Sequence, residues 1–142
     1  MTSESCWTNA YVGLPYADHG RTRAGCDCWG LVRMVYADRL GVDLPSLAGG
    51  YSAANDRGSV ARLIADERTD TGWHEIEPGR EQPLDLVLLR IGGEPCHVGV
   101  VVESGLMLHL LKGTNAAVER YTGPMWNRRI DSLWRWCPRS GS

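Results

Sequence analysis

The chain has 142 residues, which suits one compact domain spanning 1–142 and burying roughly two thirds of the surface its unfolded form would expose, with no room for a second. Its formal net charge of −2 lacks the basic surplus by which nucleic-acid binders and polybasic membrane proteins hold their partners, so nucleic acid is not expected as a partner. No apolar run approaches the roughly 20 residues that cross a bilayer, and Met1-Thr2-Ser3-Glu4-Ser5 shows neither the basic start nor the apolar stretch of a signal peptide; the expectation is a soluble product of the cytoplasm.

Residues 1–27 read as a loop with turns, because Gly13, Pro15, Gly20 and Gly25 interrupt them too often for a regular element. From Cys28 to Leu40 the pattern changes. Leu31, Val32, Val35, Tyr36 and Leu40 form an apolar stripe at helical spacing, with Asp27 as N-cap and Gly41 as stop. A weaker second helix is predicted over Val60 to Glu67. Beyond the turn signals at Pro78 and Gly79, short apolar and partly β-branched runs predict strands over Leu86 to Ile91, His97 to Val102 and Leu106 to Leu111. The tail, with Trp126, Trp134 and Trp136, is expected to add a last strand closing the sheet. Helices first and strands second indicate an α+β domain, with N-terminal helices packed on a small antiparallel sheet.

Five cysteines (Cys6, Cys26, Cys28, Cys96 and Cys137) are an odd number at irregular spacing, which argues against a disulfide framework and leaves at least one thiol. A single cysteine is more often a small buried hydrophobe than a nucleophile, and Cys6, Cys96 and Cys137 take that reading. Cys28 is different, because it falls on the first turn of the predicted helix. There the helix dipole and unpaired amides favour a thiolate, and a backbone N–H can face the oxygen of a carbonyl under attack.

His97 and His109 flank the turn at Glu103, Ser104 and Gly105. In a hairpin whose paired residue numbers sum to 206 or 208, both imidazoles emerge on one face, opposed or diagonal. If the helix start lies over that face, His97 takes the Cys28 proton and His109 orients His97, the logic of a catalytic triad. A zinc site built from Cys26, Cys28 and the two histidines fits poorly. The C-x-C spacing is tighter than thiolate ligands use, and the histidines are too far apart for a ligand pair; no metal is expected. His19 and His74 fall in predicted loops and read as solvated.

Together these residues resemble the NlpC-type cell-wall peptidases. Gly25-Cys26-Asp27-Cys28-Trp29-Gly30-Leu31-Val32 resembles that family's D-C-[SW]-G-L-V motif on a helix, His97-Val98-Gly99-Val100 its H-V-G strand, and Leu108-His109 the third polar residue. Pro83-Leu84-Asp85-Leu86-Val87-Leu88 resembles the P-G-D-L-V strand, with Leu84 in place of the usual Gly, and Pro15-Tyr16 a Tyr-containing segment that lines the site. The resemblance runs from about residue 11 to 138. It implies a papain-like fold and a cysteine peptidase or amidase with Cys28, His97 and His109 as catalytic residues and no cofactor. Tyr16, Asp27 and Trp29 would border the substrate, Asp27 mainly as the helix cap, and an amide in the peptidoglycan stem peptide would be cut. Trp29 in place of the common Ser, the W-G-L-V-R continuation and the Trp-rich end look most like forms carried with phage tails and tail-like particles such as gene transfer agents. Tail tip or hub proteins are then expected partners, and a structural tail protein with a degenerate site is the alternative.

Overall fold

The computed structural model describes residues 7–17, 20–42, 73–92 and 94–136. A single 3-10 turn, Trp7–Ala10, leads into a two-stranded ribbon of β1 (Arg21–Thr22) and β2 (Gly25–Cys26), and this runs directly into helix α1 (Cys28–Leu40). Six strands follow: β3 (Trp73–Ile76), β4 (Leu86–Ile91), β5 (Glu94–Glu103), β6 (Leu106–His109), β7 (Ala117–Arg120) and β8 (Ile130–Trp136). They form one antiparallel sheet in the order β3-β8-β4-β5-β6-β7. This is a small α+β architecture, a helix against an antiparallel sheet, as the sequence predicts.

Helix α1 begins where its cap dictates. Asp27 has an extended backbone, and its buried carboxylate accepts a 2.8 Å hydrogen bond from Gly30 N–H, satisfying one of the amides a helix start leaves over. The helix stops at Gly41, which adopts φ 66°, and the terminal amides return to the Ala37 and Tyr36 carbonyls. Cys28, Trp29, Gly30, Leu31 and Val32 are all buried, so the first turn is covered on every side and only the later turns are amphipathic. Leu40, the last member of the expected stripe, is 44% exposed.

Both faces of the central strands are covered. Leu86, Leu88, Val98, Val100, Val102 and Leu108 pack with α1, Trp7, Tyr11 and Trp134 on one face. Val87, Leu89, Val101 and Met107 pack with Tyr121, Trp126 and Leu133 on the other. This two-sided burial is why β4 and β5 read as unbroken apolar runs and not as the alternating pattern of a half-solvated antiparallel sheet. The tail strand does not close the sheet. β8 lies inside it, between β3 and β4, because Leu133 and Trp134 face opposite clusters and only an interior strand can bury both. The edge on that side is β3, whose His74 and Glu75 are exposed; His74 is therefore a solvated strand residue and not a loop residue.

The turn entering β4 carries the one positive-φ residue other than glycine among those described: Leu84, at φ 77°. Such a conformation costs a β-carbon-bearing residue on the order of 1 kcal/mol. It is held by Leu84 N–H to the Val101 carbonyl at 2.8 Å and by the Tyr36 hydroxyl donating to the Leu84 carbonyl. Beside it, buried Asp85 receives a two-pronged contact from Arg135, with Nε and Nη2 each at 3.0 Å, and a 2.7 Å hydrogen bond from Gln82 N–H. A charge buried this deeply stays only if it is paired, and this pair ties the start of β4 to β8. The predicted helix at Val60–Glu67, His19, Cys6 and Cys137 lie outside the described residues.

Candidate active site

The β5–β6 hairpin turns at Ser104 and Gly105, where Gly105 takes φ 97°. Val100 stands opposite Leu108 and Val101 opposite Met107, the register in which paired numbers sum to 208. His97 and His109 are thus diagonal neighbours on one face, and His97 Nε2 lies 2.8 Å from His109 Nδ1. Gly99 makes room for this. A β-carbon there would sit 3.2 Å from Met107 Cβ and 3.3 Å from His109 Cβ, so a side chain would press directly on the imidazole-bearing strand. Trp126 closes over the pair, stacked on the His97 ring at 5.6 Å and edge-on to His109 at 5.6 Å.

Strand β7 adds a residue that the sequence reading did not select. His109 Nε2 lies 2.8 Å from a carboxylate oxygen of Glu119, so a polar chain runs from His97, 4% exposed, through His109, 5% exposed, to Glu119, whose side chain is 40% exposed. His97 Nδ1 stands outside the chain. Burial pushes His97 down to about 3, with neighbouring His109 adding to the effect. Burial also lowers His109, and the hydrogen bond and charge of Glu119 work against that shift. Both imidazoles are therefore held in their neutral form at neutral pH.

Cys28 occupies the first turn of α1, 4% exposed, in the cluster between helix and sheet. Cys26, two residues before it, is fully buried, and the two thiols are not joined in a disulfide. Tyr16, half-buried, is brought beside them by the backbone. Residues 15–17 run parallel to Cys26, whose N–H donates to the Pro15 carbonyl at 3.1 Å and whose carbonyl accepts from Ala17 N–H at 3.0 Å. Asp27 and Trp29 are 0% and 1% exposed; the first caps the helix and the second lies in the core.

The structure brings His97 and His109 together, and Tyr16 to the segment preceding Cys28. Along β5, Val98, Val100 and Val102 face the helix, whereas His97 faces Trp126 on the other side of the sheet. Among the described residues no helix is long and apolar enough to cross a membrane.

Comparison with known proteins places this geometry. The murein DD-endopeptidase/LD-carboxypeptidase MepS of Escherichia coli is 23% identical over 130 residues, covering 92% of this chain and 60% of that protein. A probable endopeptidase of Haemophilus influenzae is 24% identical over 120 residues, covering 83% and 63%. The chain thus spans about 60% of the length of these curated relatives. Among solved structures, an NlpC/P60 family protein from Bacillus cereus superposes with a TM-score of 0.69 at 20% identity over 96% of this chain and 40% of that one. The NlpC/P60 domain of the peptidoglycan hydrolase SagA gives 0.63 at 19% identity over 94% and 96%, the same fold on nearly the same length of chain. The profile of the NlpC/P60 family matches residues 13–135, and the chain belongs to that family.

Proposed function

We propose that the protein hydrolyses an amide bond in the peptide part of peptidoglycan, with Cys28 as nucleophile and His97 as its base. The observation that carries the reading is the position of Cys28, on the first turn of a helix capped by Asp27, where a thiolate is favoured. In the reaction the Cys28 sulfur bonds to the scissile carbonyl carbon, and its proton passes by way of His97 to the departing amine. Water then opens the thioester, releasing a carboxylic acid and restoring the thiol. His97 is neutral at neutral pH and is held by its hydrogen bond to His109. General-base action needs His97 Nδ1 within about 3 Å of the thiol or joined to it by one water. The names of the relatives, a murein endopeptidase and a probable endopeptidase, support the substrate class. Either a D-γ-glutamyl to diamino-acid bond or the muramoyl to L-alanine amide fits.

Delivery by a phage tail or tail-like particle, with tail tip or hub proteins as partners, is the finer part of the proposal. It rests on Trp29, the W-G-L-V-R continuation and the aromatic tail. The alternative reading is a tail-tip binding component with a degenerate peptidase site. Incubating purified peptidoglycan with the protein and with Cys28→Ala, followed by mass spectrometry of released fragments, separates the two. Fragments that depend on Cys28 support the hydrolase and identify the bond; intact wall with folded wild-type protein supports the binding component.

A further inference from the structure

We infer that Glu119 is a positioning residue that fixes which nitrogen of His97 is left to accept a proton. The argument follows hydrogen-bond chemistry outward from β7. A carboxylate oxygen accepts, so the 2.8 Å contact with Glu119 requires the proton of His109 on Nε2. A neutral imidazole carries one N–H, and His109 Nδ1 is therefore an acceptor. The 2.8 Å contact to His97 Nε2 then requires the proton of His97 on that nitrogen. One tautomer follows from another, and His97 Nδ1 is left with its lone pair. Without Glu119, either histidine can donate to the other at the same distance, and half of the arrangements place a proton on the nitrogen that must accept one.

Placement supports the assignment. Glu119 stands opposite Met107 in the β6–β7 pairing, which puts it on the histidine face, diagonal to His109. Its half-buried carboxylate is the point where the buried pair meets solvent, so its charge also offsets the positive charge that forms when His97 takes a proton. The activity part of this inference rests on the hydrolase reading; the tautomer part does not.

The test is nitrogen-15 NMR of the histidine side chains in the full chain, beside hydrolysis rates on peptidoglycan. In the wild type both His97 and His109 should carry the proton on Nε2. Glu119→Ala should give mixed tautomers at both rings and lower kcat about 10- to 100-fold with KM little changed. Glu119→Gln retains an acceptor of the same size and should keep the tautomers while losing part of the rate, so a folded variant is available even if alanine disturbs β7. A wild-type His109 protonated on Nδ1, or tautomers unchanged in Glu119→Ala, would overturn the inference. Predicted tautomers in a protein that leaves peptidoglycan intact would uphold the positioning role and sink the hydrolase reading alone.

Discussion

The two faces of the central sheet are buried by different means. The helix face is filled by side chains such as Trp29, Leu31, Val35, Tyr36 and Trp134. Its stability comes from removing apolar area from water, about 25 cal/mol per Å². The opposite face has apolar members too, yet it encloses a polar chain from His97 to Glu119 and a second polar link in which the Tyr121 hydroxyl donates to Glu81 and accepts from Gly105 N–H at 2.9 Å. Buried imidazoles add little net stability and are costly if left unpaired. One face is filled by apolar side chains, and the other also encloses hydrogen-bonded polar groups.

The contrast can be broken from either side. The largest effect on stability is expected from Trp29→Ala, which empties a site 1% exposed at the helix start: a loss of about 3–5 kcal/mol by urea denaturation. Acid acts on the other face. His97, held at about 3 in the fold, returns to an ordinary value near 6.5 on unfolding, so between these limits the unfolded chain binds the extra proton. Its contribution is fully present above pH 6.5 and falls as the pH drops toward 3, by about 2 kcal/mol at pH 5. His109 acts in the same direction, and urea midpoints at pH 7 and pH 5 measure the difference. Asp27→Ala should cost about 1 kcal/mol through loss of the cap to Gly30. The smallest change is expected for Leu84→Gly, within about 1 kcal/mol of wild type, because relief of the positive φ opposes the loss of a partly buried side chain.

Much of this was legible in the residues. Helix α1 has the bounds its cap and stop require, and β4 has those of its apolar run, because in both cases local signals and burial agree. The histidine pair was accessible through parity: an even spacing across a short turn puts two side chains on one face. The same reasoning applied once more would have found Glu119, ten residues beyond His109 and across a turn containing Gly113. It was hidden because β7, Ala117–Arg120, carries no apolar run; Ala117, Val118 and Arg120 are exposed and the strand is an edge. β3, with His74 and Glu75 in solvent, escaped for the same reason. The face on which α1 packs cannot be read from local pattern, since β4 and β5 are apolar on both sides and either face would accept a helix.

The central claim is that His97 serves Cys28, and the most direct measurement is the rate of alkylation at Cys28 as a function of pH, resolved from the other cysteines by peptide mass spectrometry, in the wild type and in His97→Ala. If His97 is the base, Cys28 reacts as a thiolate well below the ordinary thiol range, near 8.5, and His97→Ala slows the reaction at neutral pH by about tenfold or more. Equal rates in the two proteins would show that the histidine chain and the thiol act apart, and would contradict the account.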